Sequence, residues 1–240
     1  MTPLPVIEIE TDMEALALRV ARFIAGRVAA ASGRFGLCLS GGTTPKRVYE
    51  LLAANGAGGA LDWQKVHLFW GDERFVPPDH KDSNFRMARE AMIDHVSIPA
   101  GQVYPIPSVG LSPEEAAAAY EAILQNFYEM NALDAGRPLF DLNLLGLGED
   151  GHTASLFPGT KALGERNAWV TSVIGAKPEP RISLTYPALE SSREILFLVS
   201  GEKKREILAR VLADDQALPA ARLVSRGSIR IFADRAAMGN

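Results

Sequence analysis

The side chain of His152 is the strongest candidate for a general base in this sequence. It ends a loop with three glycines, residues 146–152, and Asp150 lies two residues before it. An imidazole that is oriented by a carboxylate can remove a proton from water, as it does in hydrolytic triads. The alternative is a structural histidine that caps a helix or satisfies a buried polar group. The residues alone leave both interpretations open.

The same loop matches the dinucleotide-binding pattern G-x-G-x-x-G over residues 146–151, but its chemistry argues against that function. Glu149 and Asp150 lie inside the loop, where their carboxylates would repel a pyrophosphate. No clear acidic residue at the end of a strand follows at about 20 residues, where a dinucleotide site places one. We therefore expect no NAD cofactor.

A second candidate segment, residues 40–44, has the composition of an anion-binding turn. Gly41 and Gly42 allow backbone N–H groups to approach a phosphate, and the hydroxyl groups of Ser40, Thr43 and Thr44 add donors. The helix that follows would direct the positive end of its dipole at the anion. An ordinary strand-to-helix turn, with Thr44 as the N-cap and a proline at the first helical position, is the alternative. The segment lacks the Gly-Lys-Ser/Thr ending of a nucleotide P-loop, so we expect no ATP.

A third polar segment, residues 71–74, follows an aromatic run at residues 66–70. Arg74 suits two-point recognition of a phosphate or a carboxylate, although a surface ion pair would use the same residue types. Asp72 and Glu73 are neighbours at the end of a strand, so their side chains point in opposite directions. Either of the two acids could be the one that faces a substrate.

These three segments follow predicted strands. Short apolar runs predict strands at residues 6–9, 35–39, 66–70, 140–145, 169–173, 182–185, 195–199 and 229–232. Capping boxes at residues 11–14 and 112–115 predict the starts of two helices. A third helix is predicted from Thr44 to Asn55–Gly56, before a flexible loop at 57–60, and two more are predicted near residues 82–95 and 203–212. This alternation predicts an α/β fold, a single doubly wound, mostly parallel, Rossmann-like sheet flanked by helices, in one domain of residues 1–240. Because parallel strands end at the same edge, we expect the three polar segments to meet there.

The composition limits the cofactors and partners. The net charge is −4 without a basic stripe, which argues against nucleic-acid binding. No pair of histidines or cysteines has metal-ligand spacing, so we expect no metal. The sequence has neither a signal peptide nor an apolar run of about 20 residues, so we expect a cytoplasmic protein that does not bind a membrane. Cys38, the single cysteine, is expected in the core. The residues identify no protein partner.

At these segments the sequence resembles the 6-phosphogluconolactonases. The matching stretches occur in the family order and are LSGGTTP at 39–45, WGDERFVP at 70–77, DSN at 82–84, GLGEDGHTASLFP at 146–158 and RISLTYP at 181–187. The long stretch around His152 is highly specific, whereas the first two are shared more broadly. The resemblance implies a single α/β domain that hydrolyses a sugar-phosphate lactone, 6-phosphogluconolactone, to 6-phosphogluconate in the oxidative pentose phosphate pathway. It also implies that no metal or organic cofactor takes part.

Carried over by position, the resemblance implies that His152 activates the attacking water, with Asp150 as its neighbour. The tetrahedral intermediate of the reaction has an oxyanion that requires a donor. A backbone N–H of the loop at residues 146–152 or an arginine could be this donor. Arg74 is therefore counted among the catalytic candidates.

The resemblance also implies a set of substrate contacts. Arg74 and Arg181 are expected to contact the substrate, chiefly at its phosphate, beside residues 40–44. Asp72 is a further substrate-binding candidate. Lys204 corresponds to a lysine that reaches the phosphate in relatives, but Lys203 is adjacent and the pattern is looser here.

Glucosamine-6-phosphate deaminase is the closest alternative, because it is similar in fold and also carries an Asp-Gly-His element. Its histidine is typically followed by Ile-Ala-Phe-Asn-Glu-Pro, in which the glutamate assists the histidine. In this sequence Thr-Ala-Ser-Leu-Phe-Pro follows His152, so the apolar Phe157 replaces the acid, which favours the lactonase. A non-catalytic sugar-phosphate sensor is a further alternative. It would need the anion-binding turn but not the pairing of Asp150 with His152.

Overall fold

The fold is that of a computed structural model, which describes residues 5–54 and 61–239. The strands within these residues are β1 (Val6–Glu10), β2 (Phe35–Leu39), β3 (Val66–Trp70), β4 (Asp72–Arg74), β5 (Phe140–Gly146), β6 (Val170–Val173), β7 (Arg181–Leu184), β8 (Ser192–Val199) and β9 (Ser228–Asp234). The helices are α1 (Met13–Ala30), α2 (Thr43–Ala53), α3 (Asn84–Ala91), α4 (Pro113–Tyr128), α5 (Tyr186–Glu190), α6 (Arg205–Leu212) and α7 (Arg235–Met238).

Six strands form the main sheet, in the order β1-β9-β8-β5-β2-β3, and every neighbouring pair is parallel. The central strands are apolar on both faces, and all five residues of β2 are buried. Such strands suit a parallel sheet that is covered on both sides. Cys38 lies in β2 and is fully buried, as expected. The α/β fold class predicted from the sequence is confirmed.

The connections between strands reverse direction beside β2. The chain passes from β2 to β3 on one side of the sheet, and later from β5 to β8 and β9 on the other side. β2 and β5 are therefore neighbours at a topological switch point, where an open α/β sheet leaves a crevice beyond the carboxyl ends of its strands. Residues 40–44 follow β2 and residues 147–152 follow β5, so the fold brings both segments to this crevice.

The remaining strands form a separate antiparallel sheet in the order β4-β7-β6. This sheet differs from the sequence-based expectation, which placed the runs at 169–173 and 182–185 in one parallel sheet and did not predict β4. A short apolar run has the same local pattern in either arrangement, and its partner is set by contacts that are remote in sequence. The antiparallel pairing places Arg74 opposite Arg181.

Two predicted N-caps are wrong. Asp12, rather than Thr11, caps α1, because its carboxylate accepts from Ala15 N at 2.9 Å. Thr44 lies inside α2, since Gly42 adopts a φ of 112°, which favours glycine, and the helix begins at Thr43. The predicted capping box at residues 112–115 is confirmed at the start of α4.

Two helices are shorter than the sequence predicts. α3 ends at Ala91, because Met92 has a non-helical backbone, and a 3₁₀ turn, Ile93–His95, follows. The helix predicted at 203–212 begins as a 3₁₀ turn, Glu202–Lys204, before α6. The predicted helix end at Asn55–Gly56 and the predicted loop at 57–60 lie outside the described residues. None of the helices in the described part of the chain is long and apolar enough to span a membrane.

Candidate active site

A polar cleft of about 290 Å³ lies beyond the carboxyl ends of β2 and β5. The sequence-predicted residues that line it are Ser40, Gly41, Gly42, Thr43, Thr44, Asp72, Arg74, His152 and Lys204. The three polar segments therefore meet, as expected. Two predicted residues, Asp150 and Arg181, do not line this cleft. Across residues 5–54 and 61–239, no group of three or more His, Cys, Asp or Glu side chains is arranged to hold a metal ion.

The turn at residues 40–44, called the anion turn below, lines the cleft and leads into the first N–H groups of α2. A Cβ on Gly41 would lie 2.0 Å from Asn84 Oδ1, so any side chain there would displace Asn84. Gly42 is the N-cap of α2 and has no side chain to accept from the first N–H groups of the helix. Tyr49 holds the start of the turn, since its hydroxyl accepts from Ser40 N at 3.0 Å and donates to Ser40 O at 2.8 Å. The anion turn thus combines N–H donors with the positive end of a helix.

The loop after β5 holds His152 against Asp150. Nδ1 of His152 lies 2.5 Å from Asp150 Oδ1, and the backbone N–H of His152 donates to the same oxygen at 3.1 Å. Because an ionised carboxylate only accepts, Nδ1 carries the proton and Nε2 is the nitrogen that can accept one. Gly148 makes room for the ring, since a Cβ there would lie 2.0 Å from Nδ1. Phe157 packs on the ring with the centroids 4.5 Å apart.

Asp150 is suited to remain ionised in this arrangement. Burial raises the pKa of Asp150, but hydrogen bonds from the ring and the backbone of His152, with the nearby charge of Lys177, outweigh burial and bring the pKa below its usual value. Asp150 lines a neighbouring cleft together with Phe157 and Lys177. Its contact with the first cleft is therefore made through His152.

Asp72 and Glu73, which the sequence left as alternatives, lie in β4 and have different surroundings. Asp72 lines the cleft, and its Oδ2 accepts from Ser155 Oγ at 2.6 Å. Glu73 is buried and accepts from Ser83 Oγ at 3.0 Å and from the first two backbone N–H groups of α3 at 2.7 and 2.8 Å. Burial raises the pKa of Glu73, although these hydrogen bonds oppose the shift. Glu73 fastens α3 to β4, whereas Asp72 is the acid exposed to a ligand.

Two arginines lie opposite each other in the pairing of β4 with β7. Arg74 lines the cleft and donates from Nη1 to Asp82 O at 2.7 Å. The side chain of Arg181 is 11% exposed, and its Nη2 makes a long ion pair of 3.7 Å with Glu179. Nη1 of Arg181 is buried and has no hydrogen-bond partner among the residues that the structure describes. Burial and the charge of Arg74 lower the pKa of Arg181.

Of the two adjacent lysines, Lys204 lines the cleft. It ends the 3₁₀ turn that follows β8 and is half-buried, whereas Lys203 is exposed. Lys204, rather than Lys203, is therefore the lysine that is placed to contact a ligand in this cleft.

Among the lining residues that were not assigned from the sequence, three stand out, namely Asn84, Ser200 and Ala154. Asn84 is buried and donates from Nδ2 to Asp72 O at 3.0 Å, and its only signal was its place in the stretch at 82–84. Ser200 follows β8, so the rule that polar residues after parallel strands form the site would have found it. Ala154 has a φ of 47°, which is rare for a residue other than glycine and marks backbone strain beside the histidine.

Comparison with known proteins gives the family. A family model described as glucosamine-6-phosphate isomerases/6-phosphogluconolactonase matches residues 11–231. The chain belongs to this family. Among its relatives, a 6-phosphogluconolactonase from Nostoc sp. (strain PCC 7120) is 42% identical over 238 residues, which are 96% of each chain. The family inferred from the motifs is thereby confirmed.

Solved structures show that the fold is shared by both branches of the family. The 6-phosphogluconolactonase from Thermotoga maritima superposes with a TM-score of 0.82 at 30% identity, over 96% of this chain and 99% of that one. A monomeric glucosamine-6-phosphate deaminase superposes with a TM-score of 0.83 at 20% identity, over 98% and 99%. The fold alone therefore does not separate the two activities, and the choice between them depends on the site.

Proposed function

We propose that this chain hydrolyses 6-phospho-D-glucono-1,5-lactone to 6-phospho-D-gluconate, the second step of the oxidative pentose phosphate pathway. One observation carries the proposal: a histidine held by a carboxylate lines the same cleft as the anion turn and Lys204. Relatives named 6-phosphogluconolactonase that are 38–42% identical over almost the whole chain support the same activity.

In this proposal the phosphate of the substrate binds at the anion turn. The N–H groups at the start of α2, together with Lys204 and Arg74, balance its charge. Arg181 stays a predicted contact, supported by the buried Nη1 that an anion would satisfy. Asp72 accepts from a sugar hydroxyl through Oδ1, because Ser155 already donates to Oδ2. These contacts are distant from the reacting carbon and convert binding energy into positioning.

His152 then acts as the general base. Nε2 takes a proton from water while the water oxygen bonds to C1, and the carbonyl oxygen becomes an oxyanion. A backbone N–H of the loop at residues 146–152 donates to that oxyanion, which is worth about 3 kcal/mol. When the bond between C1 and the ring oxygen breaks, His152 returns the proton to the ring oxygen. Base catalysis contributes roughly 10²–10⁴-fold, and every step uses groups of this chain alone.

The two alternatives from the sequence are less well supported. Isomerisation of an amino sugar would use an acid beside the histidine, but Phe157 is almost fully buried and packs on the ring of His152. A sugar-phosphate sensor would need the anion turn but no oriented base. Phe157 therefore favours hydrolysis over isomerisation, and the short contact between Asp150 and His152 favours hydrolysis over a sensor.

The proposal is tested with freshly generated 6-phosphogluconolactone in a stopped-flow instrument, where each turnover releases acid to a pH indicator. We expect hydrolysis well above the spontaneous rate, and no ammonia from glucosamine 6-phosphate under the same conditions. A lactone half-life that the protein does not shorten would overturn the proposal, as would release of ammonia from the amino sugar.

Two expectations from the sequence remain part of this proposal. We propose that residues 1–240 act as one domain, which cooperative unfolding in a single transition would support. We also propose a cytoplasmic location, because a charged sugar phosphate does not cross a lipid bilayer unaided. Cell fractionation checks the second point.

A further inference from the structure

We propose that Asp234 is a positioning residue for phosphate binding, because it holds the turn that carries Ser200 and Lys204 into the cleft. Asp234 ends β9 and is buried, with 3% of its surface exposed, and it does not line the cleft itself. The inference rests on the proposed function, since it takes the cleft to be the phosphate site.

The carboxylate of Asp234 ties the turn after β8 to the end of the neighbouring strand. Oδ2 accepts from Ser200 Oγ at 2.5 Å, and Gly201 N donates to both carboxylate oxygens at 3.0 Å. Oδ1 also accepts from Ala237 N at 2.8 Å and so caps α7. Since β8 and β9 are paired in parallel, one buried side chain fixes the ends of both strands.

The direction of Lys204 depends on this tie. Gly201 has a φ of 94° and a ψ of 151°, a combination that is essentially restricted to glycine. The 3₁₀ turn Glu202–Lys204 begins directly after it, and Lys204 N donates to Gly201 O at 3.0 Å. Gly201 therefore sets the path of the chain into Lys204, and Asp234 holds Gly201 in place.

The sign of the effect distinguishes positioning from simple electrostatics. As a negative charge, Asp234 opposes the binding of a phosphate, so neutralising it would tighten binding. As a positioning residue it supports binding, so neutralising it releases the turn and weakens binding. Asparagine separates these roles, because it caps a helix as well as aspartate does but offers one acceptor oxygen in place of two.

The experiment measures kcat and KM for the lactone, and the inhibition constant of inorganic phosphate, in the full-length variant Asp234→Asn. We expect KM and the inhibition constant to rise about tenfold, the effect of losing roughly one hydrogen bond, while kcat changes less than about twofold. The matched control is Asp12→Asn, which alters the same kind of cap on α1 outside the cleft and should leave all three values unchanged. Thermal unfolding of both variants establishes that they are folded.

A second variant keeps the inference testable if Asp234→Asn does not fold. Gly201→Ala leaves every charged group in place, and its Cβ would meet nothing within 4 Å, so it acts through the backbone conformation alone. We expect the same rise in KM and in the inhibition constant. Values that stay constant or fall, in a folded Asp234→Asn or in Gly201→Ala, would overturn the inference.

The variant Lys204→Met distinguishes a wrong inference about Asp234 from a wrong assignment of the phosphate site. If it raises KM and the inhibition constant while Asp234→Asn does not, the phosphate site stands and the role of Asp234 is refuted. If it changes neither value, Lys204 does not bind the phosphate, and the inference about Asp234 fails with that assignment.

Discussion

Replacing Gly148 by alanine should disable the site without removing any of its functional groups. The added Cβ would lie 2.0 Å from His152 Nδ1, 2.2 Å from Cε1 and 2.7 Å from Asp150 Oδ1, whereas ordinary contacts begin at 3.4 Å. The ring must therefore move by more than about 1 Å, and a misplacement of that size costs on the order of 10²-fold in rate. We expect kcat to fall about 10²-fold while KM changes little, because the anion turn is unaltered.

The assay for Gly148→Ala is stopped-flow hydrolysis of fresh lactone after subtraction of the spontaneous rate, with thermal unfolding as the check on the fold. Gly26→Ala is the matched control, since its Cβ would meet nothing within 4 Å on α1. We expect it to keep the original kcat and to raise the free energy of unfolding by about 0.5–1 kcal/mol. A Gly148→Ala variant with unchanged kcat would refute the view that catalysis depends on the orientation of His152.

Three further predictions concern charged groups of the site. Asp150→Asn should lower kcat by roughly 10²-fold or more, because the carboxylate no longer holds Nδ1 as a donor; steady-state rates close to the original would remove Asp150 from the mechanism. We expect the acid limb of kcat/KM to lie above the range where carboxylates titrate, because the lowered pKa of Asp150 keeps that carboxylate ionised as the pH falls towards that range. A limb near pH 4 would indicate a carboxylate as the base instead. Arg74→Ala and Arg181→Ala should each raise KM for the lactone, and an unchanged kcat/KM in both variants would contradict their assignment as substrate contacts.

The main sheet and the place of the cleft are predictable because they depend on local signals. Phe35–Leu39 is a short apolar run that ends in a polar glycine turn, and Phe140–Gly146 has the same form. Each run indicates a buried parallel strand, and the rule for the carboxyl ends of such strands then brings the two polar segments together. His152 and the anion turn could be placed in one cleft for this reason.

The rest of the site depends on contacts between residues that are remote in sequence. Asp72 faces the cleft and Glu73 does not, because β4 pairs with β7 in a sheet that no local pattern indicates. The same pairing places Arg181 opposite Arg74, although Arg181 does not itself line the cleft. Asp234 lies 34 residues after Ser200, so their hydrogen bond is not visible in the spacing of either segment.

The turnover of His152→Ala on freshly generated 6-phosphogluconolactone is the most direct measurement of whether this histidine removes the proton from water. We predict a kcat lower by roughly 10²-fold or more, with an unchanged circular dichroism spectrum and inhibition by phosphate retained, because the anion turn does not depend on the ring. A folded variant that hydrolyses the lactone at nearly the original rate would contradict the proposed mechanism.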